Sequence, residues 1–288
     1  MLLGLVVLVT AASVAFNLAT SDANVPVGEL WHGRFQDGTA YRQWGTSGQA
    51  VILVGGFLEP SFVWQGVGPL LARRGRVYAL DLRGFGYSER RGPYTLAGWA
   101  DQVQHFVAAK RLGHPIVVGH SLGAAVAVEL ARRGVASRAV LLDGDGVSIG
   151  GPPRFLRTAL VHSPFFTSIF RIAVRWPWAV KRILASAYGP RHPPLAPQVP
   201  RWTEQFRARD ARQGLQKLAA NGIAGFTRAQ LRALHVRSLV VWGADDTVDS
   251  VAEGRATARD LRTRFVVIPQ AGHLSMLSAP AAVARAIG

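Results

Sequence analysis

The 288-residue sequence contains no cysteine, which excludes disulfide frameworks, thiol nucleophiles and thiolate metal sites. Lysine is nearly absent too, occurring only at Lys110, Lys181 and Lys217. Acidic residues are few: 17 Asp and Glu stand against 33 Lys and Arg, for a formal net charge of +16. Arginine therefore carries almost all of the positive charge. A genome rich in G and C accounts for arginine in place of lysine, but not for the excess over acids. That excess favours an anionic partner, either nucleic acid or an anionic membrane surface. No nucleic-acid-binding motif, low-complexity tract, internal repeat or run of like charges is found, so a membrane surface is expected and nucleic acid is not.

With 49% hydrophobic residues the chain can bury one sizeable core, and one domain carrying an insertion is the natural organisation. The most telling stretch is Gly119-His120-Ser121-Leu122-Gly123. Pro115 to Val118 before it is a short apolar, β-branched run that reads as a buried strand. Ala124 to Arg133 after it reads as a helix packed on a sheet. A serine on so tight a strand-to-helix turn has its hydroxyl held up and outward, and glycine two positions to either side leaves room for the turn. The helix start also directs backbone N–H groups at negative charge forming beside Ser121.

A serine hydroxyl becomes a useful nucleophile only when a base takes its proton and a carboxylate orients that base. Two later strands supply candidates. Ser238 to Trp242 runs into Gly243-Ala244-Asp245-Asp246, and Arg264 to Pro269 runs into Gln270-Ala271-Gly272-His273. In this order the chain resembles the α/β-hydrolases from about Glu29 to its end. Ala50 to Val54 is similar to their third strand, leading to Gly55-Gly56-Phe57 where the oxyanion loop stands. Asp81-Leu-Arg-Gly84-Phe-Gly86-Tyr-Ser88 is similar to their D-x-R-G-x-G-x-S segment after strand four. The resemblance implies an α/β fold with a mostly parallel sheet flanked by helices and a helical cap inserted after strand six. It also implies Ser121 as nucleophile, His273 as general base and then acid, Asp246 as orienting acid, and the N–H groups of Phe57 and Leu122 as oxyanion donors. No metal or organic cofactor is implied.

Asp246 has rivals in Asp245 and Asp249; the spacing of three residues after the glycine favours Asp246. Asp143, ending the apolar run Ala139 to Leu142, is a further rival, since some relatives carry their acid there. The sequence also departs from the family. Gly55 stands where relatives usually carry histidine, which changes how the oxyanion loop is braced. Leu274 to Pro280 replaces the frequent proline and glutamate pattern after the histidine.

Leu2 to Phe16 is apolar apart from Thr10 and Ser13, and the first charge comes at Asp22. Its length is close to the ~20 residues that cross a bilayer. A membrane anchor is expected over residues 1–20, with a cleaved signal peptide as the alternative, because Ser13-Val14-Ala15 offers a small-residue cleavage site. The missing basic residues before the segment argue against a signal. The protein is thus expected to be membrane-associated or secreted, with the face of the membrane open.

The core is expected over 29–147 and 236–288, and the cap over 148–235. Roughly ninety residues separate Asp143 from Ser238, far more than one connection needs. Pro152-Pro153 and the stretch from Pro190 to Pro200 divide the cap. Phe155 to Val161 and Phe165 to Trp176 read as helices, interspersed with Arg154, Arg157, Arg171, Arg175, Lys181 and Arg182 and followed by Trp178. Such a segment either packs its apolar face on the core with its arginines in water, or lies at a membrane surface. The expected function is hydrolysis of a carboxylic ester, with a small-molecule or lipid-like substrate. Alternatives are other serine-triad chemistry (carbon–carbon hydrolysis, peracid formation, cofactor-free haloperoxidation) and a non-catalytic binding protein on the same fold.

Overall fold

The computed structural model describes residues 2–148, 151–176, 178–191, 198–223 and 225–288. Its centre is an eight-stranded sheet of β1 (Arg34–Gln36), β2 (Thr39–Trp44), β3 (Gln49–Val54), β4 (Gly75–Leu80), β5 (Ile116–His120), β6 (Arg138–Leu142), β7 (Ser238–Gly243) and β8 (Phe265–Ile268). The spatial order is β1-β2-β4-β3-β5-β6-β7-β8. The first two strands form a hairpin through Asp37 and Gly38, at φ 47° and 75°. Two successive left-handed residues make the turn whose twist matches that of paired strands, and Asp-Gly adopts it readily. β2 pairs antiparallel with β4, and every later pairing is parallel. This is the α/β-hydrolase architecture that the motifs imply.

Parallel strands covered on both faces are apolar along their length, and β3 and β5 to β8 follow that rule. Alternation assigns their side chains to two cores. Ile52, Val54, Val117, Leu141 and Val240 face the helices Leu96–Ala109 and Leu122–Arg132. Val51, Leu53, Val118, Val140 and Val241 pack with Phe62, Trp64, Met276 and the C-terminal helix Pro280–Ile287. Each large side chain sealed this way contributes about 1.5–3 kcal/mol relative to leaving it in water.

The strand order decides where a site can form. From β3 the chain passes to β4 on one side, while β5, its neighbour on the other, leads on to β6. At such a switch point the connecting loops diverge and leave a crevice beyond the carboxyl ends of the strands. The register brings the loops to one level: Val54 pairs with Gly119, and Leu142 with His120.

The insertion between β6 and β7 contains the helices Arg154–His162, Pro164–Arg175, Trp178–Tyr188, Val199–Thr203, Ala211–Asn221 and Arg228–Ala233. The first two match the expected helical pieces to within a residue or two. Residues 192–197, within the proline-divided stretch, lie outside the described residues.

The N-terminal segment forms the helix Leu2–Ala19. Among the described residues no helix is long and apolar enough to cross a membrane. The expectation of a spanning anchor therefore gains no support here. The helix lies along Pro164–Arg175 through a polar seam. Ser13 Oγ meets Ser168 Oγ at 2.7 Å, and Asn17 Nδ2 donates to the Pro164 carbonyl at 2.8 Å. Arg171, expected to face headgroups or water, donates to the carbonyls of Asn17 and Thr20 and to Asp22, which also takes Arg212. Its charge is used to fasten the helix. Arg157 is occupied likewise, donating to the carbonyls of Pro152, Ala220 and Asn221.

Candidate active site

β5 ends at His120 and a helix begins at Leu122, leaving Ser121 alone to turn the chain, with φ 49° and ψ −118°. A non-glycine residue in that region costs of order 1–3 kcal/mol and persists only where its surroundings fix it. The flanking glycines show what fixes it. A Cβ on Gly119 would lie 1.9 Å from the Gly123 carbonyl oxygen, and one on Gly123 would lie 2.7 Å from the Gly55 oxygen. The elbow thus closes on itself and on the loop after β3. It accepts no side chain at either place.

Ser121 and His273 line one cavity of about 790 Å³. His273 is brought there by the loop after β8, and Asp246 by the loop after β7. His273 Nδ1 donates to Asp246 Oδ2 at 2.9 Å. The other oxygen, Asp246 Oδ1, accepts from the N–H groups of Val248 and Asp249 at 2.8 and 3.0 Å. A ring whose Nδ1 carries hydrogen holds its lone pair on Nε2, the form a general base requires. The rivals of Asp246 are engaged elsewhere. Asp245 binds Arg191 at 2.9 Å. Asp143 is fully buried, accepting from Gly243 N–H at 2.6 Å and from the Ser275 hydroxyl. Burial pushes its carboxyl up to about 7, against the lowering effect of His120, His273 and Ser275. Burial also raises the Asp249 carboxyl, and the hydrogen bond of this region to His273 comes from Asp246 alone among the described residues.

The N–H groups of Phe57 and Leu122 lie on the two segments that meet at the Gly123–Gly55 contact. Neither has a hydrogen-bond partner among the described residues. The Phe57 ring packs edge-on against Phe85 and lines the same cavity. Most of the remaining lining is apolar and comes from the insertion, including Phe170, Val174, Val180, Leu184, Trp202 and Phe206.

Two residues here went unrecognised in the sequence. Glu59 Oε2 accepts from Gly56 N–H at 2.6 Å and lies 2.8 Å from His120 Nδ1. With Gly55 in place of the usual histidine, this carboxylate braces the loop. The signal in the sequence is a loop without its usual histidine at Gly55 and an acidic residue four positions on. His120 is buried within the elbow motif, and its sequence position gives no sign of its partners. Among the described residues no cluster of His, Asp and Glu is arranged to hold a metal ion.

Comparison with known proteins places this geometry. A thermophilic esterase from Thermogutta terrifontis superimposes with a TM-score of 0.69 at 26% identity, covering 86% of this chain and 91% of that one. A membrane phospholipase A described as a bacterial virulence factor superimposes with a TM-score of 0.68 over 99% of this chain and 95% of that one, at 24% identity, a likeness of fold. The probable oxidoreductase EphD of Mycobacterium tuberculosis is 27% identical over 290 residues, which is 86% of this chain but 46% of that protein. The chain spans between 31% and 46% of the length of the mycobacterial relatives it matches. The model of the Alpha/beta hydrolase family matches residues 51–286, and the chain belongs to the α/β-hydrolase family.

Proposed function

We propose that this protein hydrolyses a carboxylic ester bearing an acyl chain, through an acyl-enzyme on Ser121. His273 takes the hydroxyl proton as Ser121 attacks the carbonyl, then returns it to the leaving alcohol. Asp246 holds the imidazole in its base-ready form and stabilises the imidazolium. The N–H groups of Phe57 and Leu122 receive the negative charge on the tetrahedral oxygen, where one such donor typically contributes ~10²–10³ in rate. Water activated by His273 then releases the acid. The observation that carries this reading is the joint placement of Ser121 and the Asp246-bonded His273 on one largely apolar cavity. Its size and lining suit an acyl chain better than a charged or sugar-like group. The same residues serve other serine-triad chemistries, so the reading rests on substrate shape as well as on the triad.

The outer face of the inserted helices supports delivery from an anionic lipid surface. Phe165, Ile169, Ile172 and Trp176 follow one another at helical spacing and are all exposed, while Phe170, Ala173 and Val174 of the same helix line the cavity. Phe155, Leu160 and Trp178 and the exposed N-terminal helix residues Leu5 to Val9 extend the apolar surface. Arg154, Arg175, Lys181 and Arg182 are exposed around it. Apolar residues that dip into the acyl boundary and cations that meet headgroups are the two components of interfacial binding.

A series of p-nitrophenyl esters, assayed with and without vesicles of mixed neutral and anionic lipid, tests both parts. Turnover is expected to rise with acyl length to a medium or long chain and to rise again on anionic vesicles. A preference for acetate indifferent to vesicles would replace this reading with a soluble short-chain esterase.

A further inference from the structure

Directly behind the nucleophile, His120 has no solvent exposure, and both its ring nitrogens are engaged. Nε2 lies 2.8 Å from the backbone carbonyl oxygen of His273. A carbonyl only accepts, so Nε2 carries a hydrogen. Nδ1 lies 2.8 Å from Glu59 Oε2, an oxygen that already accepts from Gly56 N–H. An acceptor at each nitrogen fits the doubly protonated, positively charged ring. Asp143 Oδ2, 4.0 Å from Nε2, adds a second carboxylate. The His273 ring stands edge-on with its centroid 4.8 Å away. These groups come from the loop after β3, the end of β6 and the loop after β8.

We infer that Glu59 and His120 form a positioning pair, one buried cation that clamps the oxyanion loop through Glu59 and the general-base loop through the His273 carbonyl, setting both against Ser121. The inference rests on the serine-hydrolase reading for its effect on rate, but the charge on His120 does not depend on it. The Gly56 N–H is adjacent to the proposed donor at Phe57, and a loop shift of a few tenths of an ångström there weakens a bond that forms fully only in the transition state. Such a loss falls on kcat and leaves ground-state binding nearly intact.

The charge has a defined window. Burial disfavours the imidazolium, but the Glu59 charge and hydrogen bond, Asp143 and the His273 carbonyl outweigh it and lift the pKa from 6.5 to about 9. With the folded value raised, His120 stays charged through neutral pH; the stability it contributes is complete below the ordinary histidine range and is lost as pH climbs through about 9.

The test uses the full chain and the Glu59→Gln variant, which keeps the shape of the side chain and removes its charge. With histidine labelled by ¹⁵N in the ring, and the His120 signal assigned by its loss in His120→Gln, wild type is expected to show both nitrogens protonated at pH 7.5. In Glu59→Gln the titration should move down by at least one pH unit. On a soluble ester, Glu59→Gln should lower kcat about 10- to 100-fold with KM within about threefold, and its alkaline limb should fall with the histidine titration. A neutral His120 at pH 7.5, or an unmoved alkaline limb in a folded Glu59→Gln protein, would overturn the pair. A charged His120 in a wild type that turns over no ester would instead refute the serine-hydrolase reading and leave the clamp in place.

Discussion

At the carboxyl edge of the sheet, His120 and Asp143 have no exposure, and each polar atom of their side chains meets a partner. In the helices above, Phe155, Ile169 and Trp178 are 70%, 66% and 65% exposed. The lower region tolerates almost no change in shape: the elbow glycines would meet backbone oxygen within 3 Å if given a Cβ. The upper region leaves apolar surface open that a soluble protein normally covers. The difference separates two questions. On the function proposed above, the closed region sets the reaction geometry and the open region selects what reaches it. The helix Pro164–Arg175 joins them, with one face in the cavity and the other in solvent.

If the division is right, changes in the closed region should act on turnover and leave lipid binding alone. Asp246→Asn is expected to lower ester turnover about 10⁴-fold, because an amide at that place favours the wrong ring tautomer. Asp245→Asn, which loses only the partly exposed contact to Arg191, should remain within a few-fold of wild type in the same assay. Comparable losses in both variants would mean that the aspartate facing His273 is not acting as its orienting acid.

Changes in the open region should act the other way. Replacing Ile169 and Trp178 together by Asp removes two exposed anchors, each contributing up to about 1.5–3 kcal/mol when buried in lipid. Sedimentation with anionic vesicles should show binding weakened at least tenfold, with turnover of a water-soluble ester changed less than twofold. Replacing Arg182 alone by Gln should have a smaller effect, about 1 kcal/mol at low salt, fading as salt is raised. Loss of soluble-ester turnover in these variants would show that the two regions are not separable.

Legibility in the sequence follows the same division. The strands and the elbow are readable because each depends on neighbours in the chain, whereas Asp246 and His273 are picked out only through the family resemblance. A glycine two residues from a tight turn is demanded locally, and an apolar run between polar loops marks a buried parallel strand. Glu59 was not readable, since its partner His120 stands 61 residues away and the contact exists only once β3 and β5 lie side by side. Arg171 looked like one more cation on an amphipathic helix. Its role appears only when Asn17, Thr20 and Asp22, about 150 residues earlier, fold against it. The polar seam of the N-terminal helix is hidden for a related reason: hydropathy along the chain does not show a serine and an asparagine aligned to meet Ser168 and Pro164.

The central claim is that Ser121 is an activated nucleophile, and covalent labelling tests it without knowledge of the substrate. A fluorophosphonate, followed by intact-mass measurement and peptide mapping, is expected to add one adduct per chain on Ser121 in wild type and none in a folded Ser121→Ala variant. Wild-type protein that is folded and stays unlabelled, or an adduct that persists in Ser121→Ala, would contradict the account.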